Sequence, residues 1–268
     1  MRFSFLTRFF PAILLLGFLA PAPSVRAISP ADPKVVQIST VGALLAGEYD
    51  GVVSVRQLLG FGNFGIGTVN AIDGELIVFR GVPFVAKADG SVRIAPNNET
   101  VPFAAVVNLD WEKVKWTVFD KPVGRAGFTA AVDAIATNPN YFYAIYFEGK
   151  FSGVEARSER GQTKPYRPLA ETMKTAEVRY SIGGGEGVMF GFRSPEFVSG
   201  LNVPGDHLHF LTYDHTKGGH VTDFTIESGV LGVQPIPAFT VYMPEKLNAL
   251  PGEISRDRTE ELNEIEKR

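Results

Sequence analysis

The alternation of apolar and polar residues predicts short strands in most of this chain. Side chains of a strand point to opposite faces in turn, so a period of two indicates a half-buried strand. By this pattern, and by apolar runs between turn residues, strands are predicted at 35–40, 62–69, 75–79, 103–109, 141–149, 176–182, 188–193, around 207–211 and at 221–226. Helical spacing predicts short helices at 41–46, 55–59, 128–137 and 169–175. The charged segment 259–268 is weakly helical, and its composition alone indicates a solvated tail.

These elements predict an α+β fold. We expect two antiparallel or mixed β-sheet units with short flanking helices, and a candidate metal site on a β-hairpin of the C-terminal half. We place an N-terminal α+β sheet unit at 28–150 and a C-terminal, metal-binding, β-rich unit at 151–268. Three consecutive glycines at 183–185 predict a hairpin turn after which 188–193 pairs back on the preceding strand.

The first 27 residues have the pattern of a signal peptide. A short basic start is followed by an uncharged stretch from Phe9 to Ala20, and Val25-Arg26-Ala27 has the small residues of a cleavage site. The apolar run is short for a permanent membrane span, although an uncleaved anchor is the alternative. We therefore expect an exported protein, periplasmic or secreted, that has no membrane contact after cleavage.

Composition and charge narrow the class of partner. The chain has no cysteine, so its stability must come from a core and not from disulfides. Its formal net charge of −3 becomes −6 on removal of residues 1–27, because three arginines and no acidic residue leave. A mildly acidic chain gives no electrostatic reason to expect nucleic-acid binding.

All four histidines lie between positions 207 and 220, and three of them form a candidate metal site. His207 and His209 share one face of a strand, since Leu208 between them points the other way. Gly218-Gly219 is a turn signal, so His220 can return on the next strand and face the same pair. Three neutral imidazoles on one side of a hairpin suit a catalytic Zn²⁺ or similar ion with open positions. The alternative is a set of histidines in a wet surface loop.

Several ordered segments resemble the acetolactate decarboxylase family, and the resemblance covers nearly the whole chain after residue 27. The segments that carry it are STVGALL at 39–45, GNFGIGT at 62–68, DGE at 73–75, ARS at 156–158, GFRSPEF at 191–197, NVPG at 202–205 and the histidine set. Two departures are visible: Asp206 stands where the family usually has an aromatic residue, and Ala156 where it usually has threonine. Neither departure removes a metal ligand, and the carboxylate of Asp206 could support the neighbouring ligand.

The resemblance implies an activity and a set of site residues. Members convert 2-acetolactate (2-hydroxy-2-methyl-3-oxobutanoate) to acetoin and CO₂ with zinc, and commonly form dimers, so a homodimer is a further expectation. By the same resemblance, the zinc ligands fall on His207, His209 and His220, and the two glutamates of the metal site fall on Glu75 and Glu266. The active-site arginine falls on Arg157 and a substrate-lining threonine on Thr68, whereas His215 matches no ligand.

This residue set fits the chemistry of a β-keto acid that loses CO₂. A divalent metal chelated by the hydroxyl and ketone oxygens of the substrate would stabilise the enediolate as charge develops. Arg157 can hold the carboxylate through paired hydrogen bonds, while its high pKa makes it an unusual proton donor. Glu75 and Glu266 can complete the metal sphere or relay a proton.

Other three-histidine metalloproteins remain alternatives from the residues alone. A cupin-like dioxygenase also uses His-x-His on a strand, but its third histidine is usually more distant. A carbonic-anhydrase-like hydratase uses a similar triad. A secreted zinc carrier would need the histidines and not Arg157. Formation of acetoin and CO₂ from acetolactate distinguishes the decarboxylase from all of these.

Overall fold

Strands dominate the described part of the chain. The computed structural model describes residue 29 and residues 32–245 and 256–266. The strands are β1 (Lys34–Ile38), β2 (Val53–Ser54), β3 (Phe64–Thr68), β4 (Glu75–Phe79), β5 (Val82–Ala86), β6 (Val92–Ile94), β7 (Thr100–Val101), β8 (Phe103–Val107), β9 (Lys115–Phe119), β10 (Val123–Gly124), β11 (Phe142–Glu159), β12 (Glu177–Ser181), β13 (Gly185–Ser194), β14 (Gly205–Thr212), β15 (Gly218–Ile236) and β16 (Ala238–Tyr242). The helices are α1 (Val41–Leu45), α2 (Val55–Leu59), α3 (Arg125–Ile135), α4 (Leu169–Ala176) and α5 (Thr259–Glu266), with 3-10 turns at Asn70–Ile72 and Glu196–Val198. The predicted class, two sheets with short flanking helices, is confirmed.

Two seven-stranded sheets form the frame. The first sheet has the order β16-β1-β8-β3-β4-β5-β6, in which β16 runs parallel to β1 and the other pairs are antiparallel. The second sheet contains β9 to β15, and every pair in it is antiparallel. In this sheet β11 pairs with β15 along one edge and with β13 and then β12 along the other. Because β14 pairs with both β13 and β15, these long strands form a closed circuit.

Each of the two sheets takes strands from both halves of the chain, on either side of residue 150. The predicted boundary between residues 150 and 151 lies inside the continuous strand β11. Strands β9 and β10 precede this point but belong to the second sheet, and β16 follows it but joins the first. The described residues from 32 onward belong to one compact unit. The two sheets are therefore the units of the architecture, while the predicted signal peptide lies outside the described residues.

The main core lies between the two sheets. Ile77 and Phe79 of β4 pack there with Phe190 and Phe192 of β13. On the opposite face of the first sheet, Leu76 and Val78 pack with α2, and the outer face of the second sheet packs with α3. The period of two in β4 thus separates residues that face the other sheet from residues that face a helix.

Two glycine segments have roles other than the predicted turns. β12 and β13 do not pair with each other, because they follow one another along the same edge of β11, so the hairpin predicted at 183–185 is wrong. The turn between β14 and β15 lies at 213–217, ahead of Gly218 and Gly219, which are already in β15. A Cβ on Gly218 would lie 2.7 Å from the Phe210 carbonyl oxygen, so this glycine permits close strand pairing.

The C-terminal segment is an ordered helix and not the solvated tail that its composition indicates. Leu262 and Ile265 of α5 are buried and pack with α1 and α4 in a fourth apolar cluster. Their i,i+3 spacing forms one apolar stripe, while Glu260 and Glu264 are exposed. The longest helix of the described residues has 11 residues, and none of these helices is long and apolar enough to cross a bilayer.

Candidate active site and metal centre

Three histidines converge on the inner face of the second sheet. His207 and His209 lie on β14 in the same phase as Leu211, which faces the core between the sheets, whereas Leu208 packs on the opposite face. His220 of β15 lies directly opposite His209 across the strand pair. One ring nitrogen from each histidine falls within 4.8 Å of the others, which is an arrangement that could hold a metal ion.

The hydrogen bonding of His209 leaves one nitrogen free for a ligand role. Its Nδ1 lies 3.0 Å from the carbonyl oxygen of Leu76, and a carbonyl can only accept, so the proton is on Nδ1. Its Nε2 is buried and has no hydrogen-bond partner in the described chain. A buried lone pair without a partner is costly, and a metal ion would satisfy it. The nearest carboxylate oxygen, Oε2 of Glu75, is 3.4 Å from that nitrogen.

Burial keeps the three imidazoles neutral. It lowers the pKa of His209 and His220 well below the ordinary value, and the neighbouring histidines and Arg157 add to this effect. Burial also lowers the pKa of His207. Neutral imidazole is the form that binds a metal, so the site is prepared for a cation at neutral pH.

A β-bulge directs Arg157 into the same space. From Phe142 to Phe151, the odd-numbered residues of β11 face α3. Between Phe151 and Gly153, β11 has one extra residue that has no partner on β15. After this shift Val154 faces α3 and Arg157 faces the first sheet. Arg157 is paired with His220, so His220 stands between His209 on one side and Arg157 on the other.

The guanidinium group of Arg157 is buried among carboxylates. Its Nη2 donates to Oε1 of Glu266 at 3.2 Å, and its Nη1 donates to Oε2 of Glu177 at 3.2 Å. Nη1 is also 3.9 Å from Oε1 of Glu159, and Nη2 is 3.3 Å from Nε2 of His220. Burial alone would lower the pKa of Arg157, but the surrounding carboxylates outweigh it and hold the pKa above its ordinary value. Arg157 is therefore held as a buried cation.

Glu75 and Thr68 enter the site from the first sheet. They are opposite each other in the β3–β4 pair, and Glu75 has the same phase as Ile77, which faces the second sheet. The Thr68 hydroxyl donates to the Gly74 carbonyl at 2.9 Å. Burial, followed by the charge of Glu159, raises the pKa of Glu75 well above its usual range. The charge of Arg157 acts in the opposite direction but does not outweigh these two effects.

The C-terminal helix brings Glu266 to the centre. Oε2 of Glu266 is 3.6 Å from Nε2 of His220, and its Oε1 accepts from Arg157. Leu262 and Ile265 hold α5 against the cavity. The fold thus places Glu266 beside the histidines although it lies 46 positions after His220 in the sequence.

Most of these groups line one cavity, which has a polar end and an apolar end. The polar residues that line it are Thr68, Glu75, Arg157, Glu159, His207, His220 and Glu266. The apolar residues are Val41, Leu44, Ile72, Phe103, Leu169, Met173, Val203, Leu262 and Ile265. Such a cavity suits a small ligand that has an anionic head and alkyl substituents.

Two acidic residues of this site were not predicted from the sequence, and the predicted role of a third is wrong. Glu159 lines the cavity and Glu177 contacts Arg157, and neither was singled out. Had the strand been extended through residue 159, the i,i+2 spacing of Arg157 and Glu159 would have placed both on one face. Asp206 does not support a histidine, because its carboxylate forms two hydrogen bonds with Arg193, at 2.6 and 2.8 Å. His215 lies in the 213–217 turn and packs against Phe84.

The fold and the site define a two-sheet protein with a buried three-histidine centre beside a fixed guanidinium. The family model for alpha-acetolactate decarboxylase matches residues 35–250. The chain is 37% identical over 235 residues to the alpha-acetolactate decarboxylase of Methylococcus capsulatus, covering 88% of this chain and 89% of the relative. It is 36% identical over 231 residues to that of Klebsiella aerogenes, covering 86% and 84%.

A solved structure agrees with these matches. The crystal structure of alpha-acetolactate decarboxylase from Bacillus subtilis strain 168 superposes with a TM-score of 0.82 at 29% identity, covering 88% of this chain and all of that one. The chain belongs to the alpha-acetolactate decarboxylase family, and it is a carboxy-lyase.

The geometry predicts about one divalent ion per chain at the histidine centre. Changing both His207 and His209 to Ala removes two of three ligands, so the metal content measured by elemental analysis should fall close to zero. The matched control is His215→Ala, which removes the histidine in the turn and should keep the full content. Protons compete with the metal ion for the imidazole nitrogens. The protein should therefore lose its metal only below the ordinary histidine pKa of about 6.5. Full metal content in the double variant would contradict the assignment.

Proposed function

We propose that this chain decarboxylates 2-acetolactate to acetoin and CO₂ at a divalent metal centre, with zinc as the metal. The observation that carries the proposal is the cluster of three histidines, two of which line one partly apolar cavity together with Arg157. Membership of the family supports the substrate, and the donor set supports the metal. The reaction consumes one proton, because the substrate is an anion and both products are neutral.

The histidines would hold the ion, and carboxylates lie within reach of it. His207, His209 and His220 are the three nitrogen ligands, and Glu75 and Glu266 stand 3.4 and 3.6 Å from histidine nitrogens. When bound there, the ion supplies a Lewis acid for the hydroxyl and ketone oxygens of the substrate and stabilises the negative charge that develops on them. Thr68 lines the cavity close to Glu75 and contributes to the shape of this end.

Arg157 orients the substrate for loss of CO₂. Its guanidinium is held by protein carboxylates, and its Nη2 edge lies at the cavity near His220. A carboxylate bound to this edge would keep the breaking C–C bond aligned with the neighbouring ketone, which accepts the electron pair. The two methyl groups of the substrate then fit the apolar end of the cavity, and α5 limits the access of water.

A carboxyl group is the better source of the proton that the carbanion centre needs. The pKa of Arg157 lies above its ordinary value, so the guanidinium retains its protons. Glu75 and Glu266 reach the same end of the cavity, and the pKa of Glu75 is raised by burial. We assign the relay of the proton to these two glutamates.

The direct test is to add 2-acetolactate to the purified protein and to measure acetoin and CO₂. We expect equal amounts of the two products, loss of activity on chelation and recovery on addition of zinc. Supplying other divalent ions to the chelated protein in parallel identifies the metal that restores the highest rate. Acetoin formation no faster than the uncatalysed reaction, with zinc present in the protein, would refute the proposed activity.

Replacement of Glu266 tests whether the C-terminal helix is part of the catalytic site. In Glu266→Gln the shape is kept but the carboxylate beside His220 and Arg157 is lost, so turnover should fall by roughly 100-fold, as for loss of an acid–base group. Glu260→Gln on the exposed face of α5 is the control and should retain the wild-type rate. Equal kcat values for the two variants would remove Glu266 from the mechanism.

We also propose that the chain is exported, periplasmic or secreted, after cleavage behind Ala27. The support is the sequence pattern alone, since these residues lie outside the described part. Mass spectrometry of the protein from its native host should find a chain that begins at Ile28, and an intact N-terminus would contradict export by cleavage. The homodimer remains a prediction from the family resemblance.

A further inference from the structure

The two terminal nitrogens of the Arg157 guanidinium have different partners. Nη2 lies at the cavity, where it contacts Glu266 and His220. Nη1 instead donates to Oε2 of Glu177 at 3.2 Å. Glu177 does not line the cavity, so it reaches Arg157 from outside the catalytic space.

Glu177 is itself held in place by two constraints. It is the first residue of β12 and is paired with Glu159 of β11, two positions along from Arg157. Its second oxygen, Oε1, accepts from Nε of Arg179 at 2.7 Å. The Glu177 side chain therefore bridges two arginines, one buried and one at the surface, and its own exposed fraction is 14%.

The alternative partner of Nη1 is less suitable. The side chain of Arg157 is only 3% exposed, so its N–H groups must find acceptors in the protein. Glu159 also has an oxygen near Nη1, but at 3.9 Å it is beyond hydrogen-bond distance. If Glu177 were lost, the planar guanidinium would have to turn toward Glu159 to pair Nη1, and Nη2 would turn with it.

We propose that Glu177 is a positioning residue for the reaction: it binds Nη1 of Arg157 so that Nη2 faces the substrate. The proposal rests on the proposed function, because it requires Arg157 to act on the substrate. Groups that orient a catalytic side chain typically contribute roughly 10- to 100-fold to activity, as is known for residues behind metal ligands. Glu177 touches neither the histidines nor the cavity in the described contacts, so its contribution passes through Arg157.

Two substitutions of similar length separate positioning from a merely structural role. Glu177→Gln keeps an oxygen that can accept from Nη1, whereas Glu177→Met keeps the volume without an oxygen acceptor. We expect kcat/KM for 2-acetolactate to fall by roughly 10- to 100-fold in Glu177→Met and by less than about threefold in Glu177→Gln. Zinc content should be unchanged in both.

The matched control is Glu99→Met. Glu99 has an exposed fraction of 16%, close to that of Glu177, and pairs with Arg93 at 2.6 and 2.7 Å outside the cavity. Glu99→Met should lower the melting temperature about as much as Glu177→Met does, yet retain the wild-type kcat/KM. Equal kcat/KM values for the two Met variants would overturn the proposal, and so would equal losses in Glu177→Met and Glu177→Gln.

A double-mutant cycle identifies Arg157 as the intermediary. Arg157→Lys loses the planar fork, so Glu177→Met should cause no further loss in its background. Independent, multiplicative losses would overturn the proposal. If Arg157→Lys is impaired while Glu177→Met is not, the positioning role alone fails. If Arg157→Lys itself retains the wild-type rate, the role given to Arg157 under the proposed function fails, and the proposal for Glu177 fails with it.

Discussion

The packing of two sheets on alternating side chains is the constraint on which the rest of the structure depends. The inner faces of both sheets are apolar along most of their length, and the site lies where polar residues replace apolar ones in the same phase. Glu75 shares a face with Ile77, and His209 shares a face with Leu211. The strands that form the core therefore also fix the directions of the functional side chains, because a side chain can leave its face only if the register shifts.

One such shift makes the site possible. The extra residue in β11 after Phe151 reverses the phase of the strand, so Arg157 points toward the histidines and not toward α3. The same strand therefore supplies core residues at one end and the buried cation of the candidate site at the other. Because both edges of β11 are paired at this point, with β12 and β15, Arg157 is held on a rigid element.

The charges of the cavity suit a cation and an anion together. Three carboxylates line it, on Glu75, Glu159 and Glu266, with one guanidinium and neutral imidazoles. Burial raises the pKa of Glu75, because it disfavours the charged form, and repulsion from the neighbouring carboxylate of Glu159 raises it further. A divalent ion would reverse this balance and leave room for a monoanionic substrate beside Arg157.

Local patterns in the sequence determined the sheet class, most of the short helices and the shared face of His207 and His209, since each depends on residues close in the chain. The sequence motifs also pointed to Arg157 and Glu75, although neither stands out by composition. Only the tertiary structure decided that α5 is buried against the cavity, that Glu159 and Glu177 surround Arg157, and that β16 returns to the first sheet. Bulges and long-range pairings set these positions, and a bulge changes the phase of a strand without changing its alternating pattern enough to be read from the sequence.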